Sequence, residues 1–543
     1  MGNNEVKIIN GNLVDLHCEQ IYPARIEIAQ GRLEKITKLD HSLHNYLIPG
    51  LIDSHVHLES SLLVPSHFAK IAVKHGTVAV LADPHEICNV LGVQGFYYMM
   101  DNARQTPFKF YFGVPSCVPV TDNETSGGKI SPEDTEKLLG DSRVKFLSEM
   151  MNVPGVINKD KEVLYKINAA LRLNKPVDGH APGLRGRDLD KYIKAGITTD
   201  HESVSLAEGE EKLRKGMLLS IREGSAAKNF NNLYSLIDKY PEQCMLCTDD
   251  LHPDDLIKGH LNSLIKRGLK KGLNLFNLMK AASLNPIKHY QLDVGLLNKG
   301  DPADFVVIDN LKNFNILTTY IRGIKVYDRE IIHWKDPKIC TVNNFNATLK
   351  KAEDFIIKDK QCKVKVIEVQ DDQIWTDFSL MEPLTENGKI VSDLARDIIK
   401  IAVINRYHFA PITLGLVKNF HLKSQALASS IAHDSHNIIA IGTNDKLLAK
   451  AVNLIIQGKG GIALVDKTFS QVLPLPLAGL MSAESAERVS YEYRKLSNRI
   501  NSTLTNPLMT LSFLALIVVP RLKISDKGLF DVDNFTYTSL YNN

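Results

Sequence analysis

LIDSHVHLES, residues 51–60, follows a Pro-Gly pair and carries two histidines one residue apart. Residues i and i+2 of a β-strand point to the same face, so His55 and His57 would present two imidazoles to one point in space. Such a pair can bind a metal ion, but the same spacing also occurs on the surface of ordinary strands. The sequence around this stretch decides between a metal-binding edge and two surface histidines.

Short apolar runs alternate with helix-like segments from residue 51 onward. The runs include TVAVLAD, KFLSEM, KPVDGH, ITTDH and QCMLCTDD, and the segments between them include PEDTEKLLG and DKEVLYKINAALRLN. Alternation of strands and helices predicts a parallel sheet, and several of the runs end in His, Asp or Glu. Because a (β/α)8 barrel carries its active site at the carboxyl ends of its strands, we expect an α/β fold with such a barrel.

The regions on either side of the predicted barrel have a different pattern. Residues 5–48 and the region after about 295 alternate β-like runs with turn residues, which predicts strands joined in hairpins. A further unit begins near residue 360 with KVKVIEV and contains the helix-like KLLAKAVNLIIQ. We therefore expect a strand region, the barrel, a second strand region and a separate C-terminal α/β or α+β domain, at residues 1–49, 50–290, 291–335 and 360–543.

Composition excludes several classes of protein. The chain has 543 residues, too many for one compact core, and its net charge of +3 is too small to indicate a nucleic-acid partner. Seven cysteines form no disulfide framework and the first ten residues show no signal peptide, so we expect a cytoplasmic protein. The longest apolar stretch, residues 508–520, is shorter than the roughly 20 residues that span a bilayer. We expect a buried strand or helix there, and no membrane partner.

The apolar runs bring similar side chains to their ends. Imidazoles and carboxylates are costly to bury without partners, so their convergence at a barrel mouth would call for cations. Four histidines, a bridging carboxylate and a terminal aspartate would hold two divalent ions. The alternative is that these polar residues are scattered and separately satisfied. Besides the two histidines of the opening stretch, they are Asp83, His85, Glu86, Glu149, His180, His201, Asp249 and Asp250.

A second metal-binding pattern competes with this one. The stretches His57–Glu59 and Cys244–Cys247 resemble the His-x-Glu and Cys-x-x-Cys elements of zinc nucleobase deaminases of the cytidine-deaminase type. However, Gln243 stands where that pattern has proline, and almost the whole predicted barrel separates the two elements. Cysteine inside an apolar run is usually a small buried hydrophobe, so we reject this interpretation.

Motifs along the whole chain point to one family of enzymes. They are PGLIDSHVHLESSLLVP, DPHEICNVLG, SCVP, SEMMNVPGVI, DGHAPGL, HES, IREGSAAKN, CTDD, IAHDSHNIIAIG, LPLPLAGLMS and GLFDVDNF. Together they resemble the bacterial adenine deaminase family of the amidohydrolase superfamily. The resemblance includes the C-terminal unit, which most amidohydrolases lack. The His-x-His pair is common to the superfamily, whereas the DPHE, EGSAA and HDSHN motifs are more specific to adenine deaminases.

The resemblance implies the barrel, a small β-sandwich built from both of its flanks, and the C-terminal domain. It also implies hydrolysis of adenine to hypoxanthine and ammonia in purine salvage, with two divalent ions, Mn or Fe, although such ligands suit Zn as well. Many amidohydrolases bridge their metals with a carboxylated lysine, and Lys145 lies nearby, but it precedes the end of its strand run, so we prefer Glu149 as the bridge. Carried over by motif, the ligands would be His55, His57, Glu149, His180, His201 and Asp249.

The expected reaction is attack of water on C6 of adenine. A divalent metal can lower the pKa of its bound water from about 15.7 toward 7, and Asp249 would pass a proton to the departing amine. Glu86 is the first candidate for protonating N1, with His85 or Asp83 orienting it, although DPHE is alternatively a polar turn. The further candidates for substrate binding are Arg222, Glu223, Ser225, His433, Asp434 and His436. The first two alternatively form an ion pair under a loop, and the HDSH cluster alternatively binds another ion or stabilises a domain contact.

Two other functions compete with adenine hydrolysis. One is a different amidohydrolase, acting on a cyclic amide through a lysine bridge or on a different aminopurine. The other is a catalytically silent barrel scaffold, which would bind no transition metal tightly. Because every ligand position that the motifs require is occupied, we expect the deaminase. We further expect a homodimer, the usual state of such enzymes, and adenine as its partner.

Overall fold

The computed structural model describes residues 6–542. These residues form two compact units. The first unit contains residues 6–85, 96–117 and 130–338, and the second contains residues 86–95, 118–129 and 339–542. Residues 1–5 and 543 lie outside the described part of the chain. The expected absence of a signal peptide and the outer limits of the predicted terminal domains fall on these residues.

The first unit begins with four strands of a small sheet. They are β1 (Lys7–Asp15), β2 (Gln20–Ala29), β3 (Arg32–Lys38) and β4 (Tyr46–Pro49). β1, β2 and β3 are joined as antiparallel hairpins, whereas β4 pairs in parallel with β1. The hairpins that the sequence predicts over residues 5–48 are therefore present.

Eight parallel strands follow. They are β5 (Leu51–Val56), β6 (Thr77–Ala82), β7 (Lys109–Val114), β8 (Val144–Met150), β9 (Val177–Gly179), β10 (Thr199–Asp200), β11 (Leu218–Arg222) and β12 (Cys244–Cys247). β5 to β9 form one ladder and β10 to β12 another. Two parallel bridges, Val177 to Ile197 and Val56 to Asp249, join the ladders at both ends, so the eight strands close into a barrel. The predicted barrel is confirmed.

Helices lie between these strands and support them. Two of them match the segments predicted from periodicity: α4 begins at a capping box of Ser131 and Asp134, and α6 begins where Asp160 accepts hydrogen bonds from two backbone N–H groups. A 3-10 turn (Leu58–Ser61) precedes α1, and a π-helical turn (Lys280–Leu284) precedes α14. The helices are α1 (Pro65–Lys74), α2 (His85–Leu91), α3 (Val93–Ala103), α4 (Pro132–Leu139), α5 (Val153–Ile157), α6 (Lys161–Arg172), α7 (Gly186–Lys194), α8 (Leu206–Arg214), α9 (Phe230–Leu233), α10 (Ser235–Lys239), α11 (Pro253–Leu256), α12 (Leu261–Lys270), α13 (Leu275–Met279) and α14 (Asn285–Tyr290).

The chain returns to the small sheet after the barrel. The returning strands are β13 (Phe305–Ile308), β14 (Ile316–Ile321), β15 (Ile324–Asp328) and β16 (Ile331–Ile332). β13 pairs antiparallel with β4, which gives one eight-stranded sheet in the order β16-β15-β14-β13-β4-β1-β2-β3. Its buried side includes Leu13, Ile26, Leu47 and Phe305. Both flanks of the barrel thus build a single structure, as the family resemblance implies.

The second unit centres on another eight-stranded sheet. The order of its strands is β19 (Thr376–Met381), β18 (Val364–Val369), β23 (Thr413–Lys418), β22 (Ile398–Ile404), β25 (Ile438–Gly442), β24 (Ala426–Ser429), β26 (Gly461–Val465) and β27 (Ser470–Pro474). A 3-10 turn (Ala352–Phe355) precedes it. Helix α15 begins where the Asn444 side chain caps the N–H of Leu447, and it packs its apolar face on this sheet. The elements are β17 (Ile357–Lys358), β18 (Val364–Val369), β19 (Thr376–Met381), β20 (Thr385–Glu386), β21 (Lys389–Ile390), β22 (Ile398–Ile404), β23 (Thr413–Lys418), β24 (Ala426–Ser429), β25 (Ile438–Gly442), α15 (Asp445–Gly458), β26 (Gly461–Val465), β27 (Ser470–Pro474), α16 (Ala486–Ser497), α17 (Pro507–Phe513), β28 (Leu522–Ser525), β29 (Gly528–Asp531) and β30 (Thr536–Thr538).

The apolar stretch at 508–520 contains most of α17, whose residues Leu508, Met509 and Leu511 are buried. The prediction of a buried element there is confirmed. Among residues 6–542, no helix combines the length and the apolar character needed to cross a membrane.

Candidate metal centre and active site

Two histidines converge at the end of the first barrel strand. His55 lies in β5 and His57 directly follows it, and both are buried. Their Nε2 atoms lie 3.2 Å apart. The Nδ1 atom of His57 lies 3.1 Å from the carbonyl oxygen of Asp83, which places the proton on Nδ1 and leaves the Nε2 lone pair available. A neutral metal-ligating imidazole needs this arrangement.

Glu149 joins the two sides of the barrel mouth. It lies near the end of β8 and is buried. Its Oε1 atom faces His57, at 3.5 Å from Nε2, whereas its Oε2 atom lies 2.7 Å from Nδ1 of His180 and 3.2 Å from Nε2 of His201. The two oxygens of one carboxylate therefore face different imidazoles, which is what a ligand shared by two ions requires.

Asp249 lies two residues after the end of the eighth barrel strand, β12. It adopts a left-handed conformation, with φ 57°. Its backbone N–H donates to the carbonyl oxygen of His55 at 2.9 Å, and its carbonyl oxygen accepts from the N–H of His57 at 3.1 Å. Its Oδ1 atom lies 3.0 Å from Nε2 of His57, and its Oδ2 atom accepts from Arg222 at 2.5 Å. Pairing of the first and last strands thus brings this carboxylate to the two histidines.

His180 and His201 follow the fifth and sixth barrel strands. The ring of His201 stacks on that of His55, with centroids 4.1 Å apart. Glu202 completes this side: its Oε1 atom lies 3.4 Å from Nε2 of His201, and the carboxylate is paired with Arg222. Glu202 is not among the site residues that the motifs predict. The signal was present, since it follows His201 in the HES motif, but β10 ends at Asp200, so the alternation rule for strands no longer indicates its direction.

Asp83 and His85 follow the second barrel strand. Asp83 is buried, and neither of its carboxylate oxygens accepts a hydrogen bond from the residues that the structure describes. Its Oδ2 atom lies 3.4 Å from Nδ1 of His85, whose ring contacts that of His57 with centroids 4.6 Å apart. One donor atom from each of His57, Asp83, His85 and Glu149 lies within 4.8 Å of the others.

The electrostatics of this group fit divalent cations. Burial alone would raise the pKa of Glu149, but His180 and His201 hold that pKa well below its usual range. Burial would likewise raise the pKa of Asp249, but Arg222 holds it well below its usual range. Burial, followed by His201, lowers the pKa of His55, which keeps its ring neutral. Burial would also lower the pKa of His57, His180 and His201, but the carboxylates of Asp249, Glu149 and Glu202 raise it, so a bound cation would take the place of the protons on these rings. Ionised carboxylates, imidazole nitrogens and the orphaned oxygens of Asp83 together form a donor set suited to a divalent metal.

Three residues of the IREGS motif lie in different surroundings. Arg222 points into the metal-binding group, where it pairs with Glu202 and Asp249. Glu223 instead pairs with Arg267, and it lines a separate pocket of about 190 Å³. Ser225 donates from its hydroxyl to Asp255 at 2.8 Å and accepts from the backbone of His252 at 2.8 Å. The structure therefore brings only the arginine of this motif to the metal-binding group.

The two alternative metal ligands lie elsewhere. Lys145 is at the start of β8, four residues before Glu149, a separation of about 13 Å along a strand. It extends over the ring of Tyr111. Cys244 and Cys247 are buried within β12, and burial raises the pKa of both thiols, which disfavours the thiolate that zinc binds.

The remaining predicted residues belong to the second unit. Glu86, the residue after His85 in the chain, lies there with His433, Asp434 and His436, and all four are buried. The Oε1 atom of Glu86 lies 3.1 Å from Nε2 of His433, and its Oε2 atom is hydrogen-bonded to Nε2 of His436. The structure thus brings two of these histidines to the carboxylate of Glu86.

Comparison with known proteins gives the family. The chain matches the amidohydrolase family over residues 46–326 and the adenine deaminase C-terminal domain over residues 373–536. It is 46% identical to adenine deaminase of Methanosarcina barkeri over 543 residues, 98% of each chain. It is 48% identical to adenine deaminase of Sulfurovum sp. over 539 residues, 97% of this chain and 98% of the other. The chain belongs to the adenine deaminase family of amidohydrolases.

Membership in the adenine deaminase family accounts for both regions of the chain. The amidohydrolase match spans the barrel strands, and the adenine deaminase C-terminal match lies within the second unit. Among solved structures, a β-aspartyl dipeptidase of Fervidobacterium islandicum is similar, with a TM-score of 0.47 and 15% identity over 61% of this chain and 99% of that one.

Proposed function

We propose that this protein hydrolyses adenine to hypoxanthine and ammonia in purine salvage, with two divalent ions, Mn or Fe, in the barrel mouth. Two findings support this proposal: near-full-length similarity to adenine deaminases, and the convergence of histidines and carboxylates from six barrel strands. The observation that supports two ions most directly is that the two oxygens of Glu149 face imidazoles on opposite sides of the site.

The chain offers two sets of ligands around Glu149. His55, His57 and Asp249 would hold one ion, and His180 and His201 would hold the other. Bound divalent ions would supply a nucleophile at neutral pH by lowering the pKa of water. The donor types suit Zn as well as Mn and Fe, so metal analysis decides the native ion.

Asp249 is the proposed proton carrier. Its contact with Arg222 keeps the carboxylate ionised, so it can accept a proton from the attacking water. The same carboxyl group would then return the proton to the exocyclic nitrogen, which leaves C6 as ammonia. Proton transfer at this point avoids the expulsion of an amide anion.

Addition of oxygen at C6 places electron density on the purine ring, and protonation of N1 relieves it. Glu86 is the proposed proton donor at N1. We further propose that Asp83 and His85 orient this part of the site, since they directly precede it in the chain. Substrate contacts by Arg222, Glu223, Ser225, His433, Asp434 and His436 stay predictions.

The proposal is tested with protein purified in the presence of manganese. Adenine is added and the release of ammonia is followed, with adenosine, guanine and dihydroorotate as parallel substrates. We expect release from adenine alone. Folded, metal-loaded protein that releases no ammonia from adenine would contradict the deaminase. Ring opening of dihydroorotate releases no ammonia and is followed by its change in ultraviolet absorbance; such turnover would favour a cyclic-amide hydrolase.

We further infer a homodimer that works in the cytoplasm. All seven cysteines are free thiols in the structure, which fits a reducing compartment. Light scattering coupled to size exclusion tests the dimer: a mass near twice the 60.6 kDa of the chain is expected, and a mass equal to one chain would contradict it.

A further inference from the structure

A buried carboxylate in the second unit is held by two histidines. Glu86 is 3% exposed, and its two oxygens face Nε2 of His433 and Nε2 of His436. Both histidines come from one loop between β24 and β25, so one short segment provides both contacts. A carboxylate whose two oxygens are both engaged has a defined orientation, which a proton-transferring group needs.

The hydrogen-bond pattern assigns the proton of His436. The backbone N–H of Ala432 points at Nδ1 of His436, at 3.4 Å, so Nδ1 acts as the acceptor. The proton then sits on Nε2, which donates to Glu86. Burial lowers the pKa of His436 to about 4, which keeps the ring neutral. In this tautomer the neutral ring of His436 can donate a hydrogen bond only from Nε2.

The surroundings of His433, which include Ser512, also assign the position of its ring proton. Since Nε2 of His433 faces a carboxylate oxygen, Oε1 of Glu86 at 3.1 Å, the ring proton is assigned to Nε2. The Ser512 hydroxyl, whose oxygen accepts from the backbone N–H of His433 at 3.3 Å, then donates to Nδ1 of the ring, 2.6 Å away. Both histidines are therefore assigned as Nε2–H donors to the same carboxylate.

The loop that carries the histidines is itself held in place. His436 has a φ of 53°, a left-handed conformation that is unfavourable for a residue with a side chain. Its neighbour Asn437 accepts from the backbone N–H of Arg406 at 3.2 Å and donates to the carbonyl oxygen of Thr125 at 2.9 Å. Lys523 donates to the carbonyl oxygen of Phe513, next to Ser512, at 3.1 Å. The surroundings thus maintain a strained loop geometry in which both imidazoles point at Glu86.

We propose that His433 and His436 are positioning residues, which act on the reaction by orienting Glu86. This inference rests on the proposed adenine deamination. To act at N1, the carboxylate that the two histidines orient must carry a proton. The attacking water has two O–H protons, and both of these bonds break in the overall reaction. One proton passes through Asp249 to the departing amine, and the other passes through Glu86 to N1.

A double-mutant cycle tests the proposal in the full-length, metal-loaded protein. We expect His436→Leu to lower kcat about 10- to 100-fold, the usual effect of removing a residue that orients another, with KM changed less than about threefold. In the Glu86→Gln background the same substitution is expected to cause no further loss, because the group it orients is already inactive. Losses that multiply in the double variant would overturn the proposal.

Conservative variants separate positioning from folding. His436→Gln keeps a side-chain donor and is expected to retain more activity than His436→Leu, and Ser512→Ala should lower kcat through His433 without altering metal content. Should His436→Leu not fold, the cycle is run with Ser512→Ala and Glu86→Gln. His408→Gln is the matched control, because His408 is an exposed histidine of the same unit, and its kcat should equal that of the wild type.

The wild type distinguishes this inference from the function on which it rests. If the wild type releases no ammonia from adenine, the proposed function fails. If the wild type is active and His436→Leu is equally active, only the positioning role fails.

Discussion

Among the candidate ligands, Glu149 is the residue whose replacement is expected to lower metal binding and turnover most. Its oxygens face His57 on one side and His180 and His201 on the other. Glu149→Gln replaces one of these oxygens with an N–H donor that cannot bind a cation. We expect the variant to lose most of its bound metal and at least about 100-fold in kcat. Elemental analysis and ammonia release measure the two effects.

The control for this substitution is Glu136→Gln. Glu136 lies on α4, pairs with Arg172 at 2.6 Å, and has a side chain that is 43% exposed. Metal content and activity should equal those of the wild type. Full metal occupancy in Glu149→Gln would remove Glu149 from the ligand set.

His180 is the candidate ligand with the most exposed side chain, at 29%. His180→Ala removes one donor while leaving space that water can fill, so folding should be preserved. Metal and turnover are expected to fall together, measured by elemental analysis on the same sample as the ammonia assay. A fully active His180→Ala would refute the assignment of this residue as a ligand.

Among the elements, the ends of β9 and β10 are tied together by a fully buried lysine. The ammonium group of Lys212 donates to Asp200 at 2.9 Å, to Glu208 at 2.9 Å and to the carbonyl oxygen of Ala181 at 2.6 Å. Ala181 follows His180, and Asp200 precedes His201. The lysine therefore fixes the backbone beside two candidate ligands.

Lys212→Met leaves two buried carboxylates without their cation. Breaking a buried ion pair costs about 3–5 kcal/mol, so we expect a destabilisation of that size together with faster loss of metal. Chemical denaturation and metal release to a chelator are the measurements. Lys215→Met, three residues further along, removes partly exposed contacts with Asp190, Glu211 and the carbonyl oxygen of Gly186, and should cost no more than about 1 kcal/mol. Equal effects for the two variants would contradict the structural role of Lys212.

Strands and helices were largely predictable because their signals are local. The runs that end in His, Asp or Glu became the barrel strands, and α4 and α6 occur where helical periodicity and capping residues indicate them. The pairing of β4 with β13 was not visible in the sequence, since more than 250 residues separate them and period-two alternation carries no information on partners.

For the whole molecule, bound metal should contribute to stability. A ligand that binds only the folded state stabilises it by about 2.7 kcal/mol at 100 times its dissociation constant. Removal of metal with a chelator is expected to lower the melting temperature and abolish turnover, and added manganese should restore both. Calorimetry on stripped and reloaded protein measures this. An unchanged melting temperature on confirmed removal of metal would contradict a metal site buried in the fold.

Stability should also depend on pH through two histidines of the first unit. Burial lowers the pKa of His75 and of His289 to about 4, whereas both titrate near 6.5 when unfolded. The unfolded chain therefore binds more protons between these values, so the stabilising contribution is complete above about pH 6.5 and is lost as pH falls toward 4. The free energy of unfolding of the double variant His75→Gln/His289→Gln is compared with that of the wild type by denaturation at pH 7 and pH 5. The difference in pH dependence measures the contribution of the two histidines. A steeper pH dependence in the double variant would contradict this assignment.

The family, the barrel and the adenine deaminase C-terminal unit followed from the sequence, because motif spacing and periodicity survive in the linear chain. The individual site roles and the domain boundaries stay predictions. Contacts beyond the ends of strands depended on three-dimensional packing. Glu202 joins the metal-binding group although no rule selected it, and Glu223 pairs with Arg267, a partner that its motif does not indicate. The physical reason is that strand alternation sets side-chain direction only within a strand. Past its end, the loop conformation and the neighbouring charges set that direction, and these form only when distant segments fold together.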